Sequence, residues 1–140
     1  MSRIFWDTNL FIYLLGDYRE LSKKTIDLRR RMLQRGDQLL TSAMTLGEIL
    51  VRPMELGDEV AAQKYEADLS RGATIIPFDL KASRIYAKIR TDRGVKPPDA
   101  IQLACAANAV VDLFVTNDTR LQGKFVPGIQ FIASLDMVPI

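Results

Sequence analysis

The sequence contains no histidine and only one cysteine, Cys105. The absence of histidine excludes Ser-His-Asp and Cys-His nucleophilic sites and any His-ligated zinc site. A lone cysteine forms no internal disulfide, which favours a reducing, cytoplasmic setting, and we expect Cys105 to be a small buried residue of an Ala-rich helix. Any chemistry must therefore use carboxylates, hydroxyls, Lys, Arg or a metal ion bound through oxygen.

The chain also lacks the pattern of a signal peptide, a long hydrophobic run and a Gly/Ser-rich linker. Its longest mostly apolar stretch, residues 101–115, is interrupted by Gln102, Asn108 and Asp112 and is too short to cross a bilayer. The 140 residues are 48% hydrophobic and 26% charged, with a net charge of +2, which is ordinary for a soluble protein. We therefore expect a single domain over residues 1–140 that does not enter a membrane.

Short apolar stretches alternate with helical patterns along the chain. This alternation predicts an α/β fold with a mainly parallel sheet of about five strands flanked by helices. We predict strands at residues 3–6, 37–42, 73–78, 111–118 and, more weakly, 128–134. Helices are predicted up to Gly36 and over residues 45–71, 79–93 and 99–109, with Pro53 ending or kinking one of them.

Four acidic residues stand near predicted helix starts. Asp7 and Asp118 follow the first and fourth strands, and Glu48 lies just beyond the second. Because parallel strands present their carboxyl ends at one edge of the sheet, where α/β proteins bind ligands, we expect these three to share that edge. Asp99 precedes the helix that leads into the fourth strand, and the sheet argument alone does not place it.

Each acid also has a purely local explanation. Asp7, Asp99 and Asp118 are favoured helix or turn caps, and Glu48 matches a capping box that begins at Thr45. As a cluster, however, the acids need counter-charge, since two carboxylates about 5 Å apart repel by roughly 3 kcal/mol at an effective dielectric constant near 20. A shared proton or a divalent cation relieves this repulsion, and all-oxygen ligation suits Mg²⁺ or Mn²⁺.

The stretches FWDTNLFIYLL, TLGEIL, PPDAIQLACA and LFVTNDTRL, in this order, resemble the PIN domain family and, within it, the small VapC-type toxins. The resemblance implies a three-layer sandwich with a parallel five-stranded sheet. It also implies a metal-dependent endoribonuclease, using Mg²⁺ or Mn²⁺, that is the toxin of a bacterial or archaeal toxin–antitoxin pair. The expected partners are RNA, a small antitoxin and a second copy of the chain in a homodimer. The positions that match the family's catalytic and metal-binding acids are Asp7, Glu48, Asp99 and Asp118, with Thr116 as a hydroxyl near the site.

An RNA substrate must approach this acidic edge, so basic residues should flank it. Residues 81–96 carry six basic side chains against one acid, and Arg90, Arg93 and Lys96 are the predicted phosphate contacts. A second basic cluster at residues 29–35 is more typical of solvated surface. For the antitoxin we expect an apolar groove that includes Ile49, Leu50, Met54 and Leu56.

Two other functions remain open from the residues. A haloacid dehalogenase-type phosphatase also begins with an Asp after its first strand, but it generally has a second Asp two residues later, where this chain has Asn9. A PIN-like module that binds RNA or a partner without cleavage could keep the same acids.

Overall fold

The computed structural model describes residues 1–140. Its five strands are β1 (Arg3–Trp6), β2 (Gln38–Ser42), β3 (Thr74–Ile76), β4 (Val111–Val115) and β5 (Ile129–Ala133). Its α-helices are α1 (Thr8–Leu15), α2 (Glu20–Arg35), α3 (Ala43–Glu55), α4 (Glu59–Gly72), α5 (Leu80–Ile89) and α6 (Pro97–Ala109). Two short 3₁₀ turns cover Thr119–Leu121 and Leu135–Met137. None of the helices combines the length and apolar character needed to cross a membrane.

All five strands are parallel, in the order β3-β2-β1-β4-β5. The central strand is β1, where Ile4 is aligned with Leu39 of β2 on one side and Leu113 of β4 on the other. This arrangement confirms the predicted α/β fold. The chain builds β2 and β3 on one side of β1 and then crosses to build β4 and β5 on the other. The carboxyl ends of β1 and β4 therefore flank a topological switch point, the usual ligand position in such sheets.

The sheet buries an apolar cluster on each face. Ile4 and Trp6 of β1 pack on one face with residues of α1 to α4, and Phe5 packs on the other with α5 and α6. Phe5 stacks on Phe114 of β4, with ring centroids 5.2 Å apart. Since successive side chains of a strand point to opposite faces, one short apolar strand serves both clusters. The result is the expected sandwich of helices, sheet and helices.

Helix α2 buries one side at helical spacing, since Thr25, Leu28 and Met32 are buried and Leu21 is half-buried. The helix ends at Gly36, whose φ of 76° lies in the left-handed region that glycine adopts without strain.

Several predicted boundaries are wrong by one to four residues. Helix α3 begins at Ala43 because Ser42 caps it, its Oγ accepting a hydrogen bond from Thr45 N at 3.3 Å. Helix α6 begins at Pro97, where the fixed φ of proline suits the first helical position. Helix α5 is capped by Asp79 and ends at Ile89. Strands β3 and β4 are shorter than predicted.

The environment of Cys105 gives a first prediction. Its side chain is fully buried, and burial raises the pKa of the thiol to about 11. Because the thiolate is the reactive form, we expect Ellman's reagent to modify the native protein only at the rate of unfolding. Rapid stoichiometric modification would be expected only after denaturation, and the same rapid reaction in native buffer would contradict this placement.

Candidate active site

Asp7 lies directly after β1 and caps α1. Its Oδ1 accepts a hydrogen bond from Thr8 N and its Oδ2 accepts one from Thr116 Oγ1, both at 2.8 Å. Only 8% of the residue is exposed. Burial raises the pKa of Asp7, and the two hydrogen bonds partly oppose that effect. Asp7 therefore has both predicted roles: it caps α1 and it lies at the carboxyl edge of the sheet.

Glu48 does not form the predicted capping box. Because Ser42 caps α3, Glu48 lies well inside the helix, and its Oε1 accepts a hydrogen bond from Thr8 Oγ1 at 2.7 Å. Glu48 is exposed, whereas Thr8 is buried. Helix α3 therefore places the Glu48 carboxylate against Thr8, next to Asp7 in the chain.

A buried polar network that the sequence reasoning missed lies beneath these acids. Gln102 of α6 donates from Nε2 to Thr8 Oγ1 at 2.8 Å and to Thr45 Oγ1 at 2.9 Å. Its Oε1 accepts a hydrogen bond from Ser42 Oγ at 2.5 Å. The signal in the sequence was the amide of Gln102, which interrupts the apolar stretch of residues 101–115 near its start. The network fixes Thr8, and through it the orientation of Glu48.

Asp99 lies in the first turn of α6 and is not its cap, because the helix begins two residues earlier at Pro97. Its half-buried carboxylate makes no hydrogen bond or ion pair within the protein. Burial raises the pKa of Asp99, and the neighbouring carboxylates of Asp118 and Glu48 raise it further. The helix N-terminus tolerates this negative charge. Arg120 and Lys96 lower the pKa of Asp99 in part, but neither forms an ion pair with it.

Asp118, by contrast, has a full set of partners. It caps the 3₁₀ turn after β4, as its local explanation predicted, and its Oδ1 accepts from Arg120 N at 3.0 Å. The Arg120 guanidinium donates to Asp118 Oδ1 from Nε at 3.0 Å and to Oδ2 from Nη2 at 2.7 Å. These bonds hold the pKa of Asp118 below its ordinary value. Arg120, which lies two residues after the acid, was not among the predicted site residues.

The four acids lie near one another at the carboxyl edge of the sheet, but they do not form a closed cage. Asp99 and Glu48 both raise the pKa of Asp7, and Asp118 raises that of Asp99, so the charges interact. No three Asp, Glu, Cys or His side chains lie close enough together to hold a metal ion by themselves. The donors are all carboxylate oxygens, and two have raised pKa values, a chemistry that fits a hard divalent cation that keeps part of its water shell.

The other predicted site residues fall into two groups. Thr116 is buried, where its hydroxyl donates to Asp7 and accepts from Asp118 N at 3.1 Å. Arg90 is half-buried, and its Nη1 donates to Val95 O at 2.6 Å. Arg93 and Lys96 are exposed and make no ion pair. Thr116 therefore orients the Asp7 carboxylate and holds the backbone of Asp118, whereas Arg93 and Lys96 are available to solvent.

The side chains of the second basic cluster, at residues 29–35, bind to other groups of the protein. Arg31 Nε lies 3.0 Å from Asp27 Oδ2, and Arg35 Nε lies 2.8 Å from Asp37 Oδ2. Arg29 donates to Gly72 O at 3.2 Å. These bonds make the cluster part of the structure of α2 and its neighbours.

The fold and the site define an α/β protein with an acidic site at one edge of its sheet. Comparison with known proteins agrees with this class. The PIN domain family model matches residues 4–124, which is most of the chain. The chain therefore belongs to the PIN domain family. No curated protein sequence is similar enough to this chain to count as a match.

Solved structures share the fold at low sequence identity. A VapBC2 complex from Rickettsia felis, bound to a DNA fragment of its promoter, has a chain that superposes with a TM-score of 0.73 at 16% identity, covering 94% of this chain and 98% of that one. DNA-bound VapBC from Salmonella typhimurium gives a TM-score of 0.65 at 20% identity, covering 96% and 99%. A toxin–antitoxin complex from Klebsiella pneumoniae gives a TM-score of 0.64 at 22% identity, and the match covers 90% of this chain and 94% of that one.

The buried network makes Gln102 a sensitive position. Replacing Gln102 with Leu leaves three buried hydroxyls without their amide partner, and we expect a loss of about 1–3 kcal/mol in the free energy of unfolding. The measurement is urea denaturation followed by circular dichroism. Gln63→Leu, at an exposed helical position without a hydrogen-bond partner, is the control. Equal stability of the two variants would contradict the role of the network.

The raised pKa of Asp99 predicts that replacing this acid with a neutral residue increases the stability of the protein in a pH-dependent way. A carboxyl whose pKa is raised by folding stabilises the fold when protonated, and that stability is lost as the pH rises through the folded-state pKa. We therefore expect Asp99→Asn to melt above the wild type at neutral pH in EDTA, with the difference vanishing below the ordinary pKa of 3.8. The exposed, unpaired Glu66 provides the control Glu66→Gln, and a lower melting temperature for Asp99→Asn at neutral pH would contradict the interpretation.

Proposed function

We propose that this protein is a metal-dependent endoribonuclease and the VapC-type toxin of a toxin–antitoxin pair. The observation that carries the proposal is the set of interacting carboxylates at the carboxyl edge of the sheet, Asp7, Glu48, Asp99 and Asp118. Membership of the PIN domain family and the fold shared with toxin–antitoxin complexes support it.

The four acids fit a divalent cation of the Mg²⁺ or Mn²⁺ type. A bound ion of this kind lowers the pKa of water and neutralises charge on a phosphate. Asp7 would be a rigid ligand, because both of its oxygens are fixed by hydrogen bonds. Asp99 has no protein partner and would bind directly or through water. Glu48 keeps Oε2 free of protein hydrogen bonds while Oε1 is held by Thr8, so Oε2 is the atom suited to orient a water molecule or accept its proton.

The substrate class follows from charge. The basic residues of segment 81–96 make no ion pair, with only Arg90 bonded to a backbone carbonyl. Arg93 and Lys96 lie in the exposed loop that leads into α6 and Asp99. Unpaired cations next to an acidic site are suited to hold the phosphates of RNA on either side of the cleaved bond.

The antitoxin partner is proposed from an apolar groove next to the site. The groove has a volume of about 500 Å³ and is bordered by Glu48. Of the four predicted lining residues, Ile49 and Leu56 line it, whereas Leu50 and Met54 do not. Leu56 is 67% exposed, which suits contact with the apolar face of a partner helix. A second copy of the chain, in a homodimer, stays an expectation from the family resemblance.

A non-cleaving binding module is the second candidate. It is favoured by the Asp118–Arg120 ion pair, which occupies one of the four acids, and by the absence of a preformed metal cage. The phosphatase is not retained, since the chain belongs to the PIN domain family.

Cleavage of RNA separates the enzyme from the binding module. We expect the wild type to shorten a broad set of RNAs in Mn²⁺, and Asp7→Asn and Asp99→Asn to lose on the order of 100-fold or more in rate. Both variants should still bind RNA, because the basic residues are untouched. RNA binding by the wild type without any metal-dependent cleavage would overturn the ribonuclease and favour the binding module.

The ion pair of Asp118 makes a prediction for metal affinity. Arg120→Gln removes the cation that competes for Asp118, so we expect several-fold tighter Mn²⁺ binding by isothermal titration calorimetry. Arg71→Gln, which breaks the exposed Arg71–Asp68 pair, is the matched control. An unchanged or weaker Mn²⁺ affinity in Arg120→Gln would show that Asp118 is not a ligand.

A further inference from the structure

A cavity next to the acidic edge has no part in the cleavage proposed above. It has a volume of about 430 Å³, within the range of roughly 300–1,000 Å³ typical of small-ligand sites. One wall is the end of α5 with the loop after it, and the other is the segment 124–127. Leu103 of α6 is fully buried and lines the cavity from within. We call this space the flanking cavity.

The flanking cavity lies one helical turn from the candidate site. Leu103 follows Asp99 by four residues on α6, and residues four apart share a helix face at a rise of about 6 Å. Val95, another lining residue, directly precedes Lys96 at the start of α6. A nucleotide next to the phosphate that is bound at the acidic site is therefore within reach of the cavity.

The rim of the flanking cavity carries one uncompensated positive charge, Lys88. Lys88 lines it and makes no ion pair, and its spacing from Arg84 and Lys81 places all three on one face of α5. The one acid of this segment, Asp92, is paired with Lys124 Nζ at 2.6 Å. That pair joins the two walls and leaves the other cations free to meet a polyanion.

An aromatic ring stands at the flanking cavity. Phe125 is 84% exposed and is the most exposed aromatic residue of the chain. Its neighbours on both sides are anchored, since Lys124 is paired with Asp92 and Val126 is buried. A ring displayed from an anchored segment, beside the unpaired Lys88, is the combination on which single-stranded RNA stacks its bases.

We infer that the flanking cavity is a subsite for one unstacked base of a single-stranded RNA, adjacent to the cleaved phosphate. Phe125 stacks on the base, and Lys88 contacts a phosphate at the rim. The inference rests on the proposed ribonuclease function and adds a site that selects or positions a nucleotide outside the acidic centre.

The test is binding of a fluorescent single-stranded RNA of mixed sequence to the whole protein. Anisotropy is measured in EDTA and again with Ca²⁺, a hard cation that binds oxygen ligands. Phe125→Ala is expected to weaken binding at least about five-fold, the lower end of the loss on removing one base-stacking ring. The matched control is Phe131→Ala, which removes a 60% exposed ring of β5 and should bind as the wild type does.

A second variant tests the phosphate contact. Lys88→Gln should reduce the slope of log affinity against log salt by about one. Lys23→Gln, at an exposed lysine of α2, should leave the slope unchanged. In addition, RNA that contains thiouridine should photo-crosslink to the peptide that includes Phe125.

The possible outcomes separate the two proposals. If the wild type binds RNA and Phe125→Ala behaves like Phe131→Ala, the subsite is wrong, and the proposed function is decided separately by the cleavage experiment. If the wild type binds no RNA under either condition, the proposed function is wrong and the subsite falls with it. A change in oligomeric state of Phe125→Ala by light scattering would instead assign the ring to an interface between copies and overturn the subsite.

Discussion

The two hydrogen bonds to the carboxylate of Asp7 connect the parts of the structure on which the candidate site depends. Thr8 N begins α1, and Thr116 Oγ1 follows β4, so one side chain links the ends of two adjacent central strands. Because a buried carboxylate is tolerated only with such donors, the bonds explain how Asp7 remains in the chain's interior. Asp7 also lies at the switch point of the sheet, which is where α/β proteins bind ligands.

The negative charges of the clustered acids destabilise the fold, and no contact within the protein fully offsets this effect. Burial and neighbouring carboxylates raise the pKa of Asp7 and Asp99, so their ionised forms oppose the fold. Arg120 pairs with Asp118 and opposes the rise in the pKa of Asp99 only in part. Acids retained against stability are typical of functional sites, and in the proposed enzyme a divalent cation supplies the missing counter-charge.

Much of this organisation could be predicted from the sequence. The apolar stretches of β1, β2 and β4 identified the strands, and parallel pairing then placed Asp7, Glu48 and Asp118 at one edge. Local rules failed where two signals competed. Thr45 matched a capping box, but Ser42 capped α3, and the prolines before Asp99 began α6 earlier than the acid itself.

The contacts that depend on packing were beyond prediction. Gln102 bonds to Ser42 and Thr8 across 60 and 94 residues, a pairing that no local pattern encodes. The sequence favoured residues 81–96 over residues 29–35 for phosphate contacts, but it did not reveal the ion pairs. Only the structure shows that Arg31 and Arg35 are paired with acids, whereas the basic side chains of residues 81–96 are not.

The central claim is that distant acids share one cation, and thermal melting with Mn²⁺ tests it most directly. A ligand at about 100 times its dissociation constant adds roughly 2.7 kcal/mol to the free energy of unfolding, a rise of several degrees for a domain of this size. The account predicts this rise in the wild type and its loss in both Asp7→Asn and Asp99→Asn, which lie on different elements. No rise in the wild type at millimolar Mn²⁺, or an equal rise in all three proteins, would contradict the shared site.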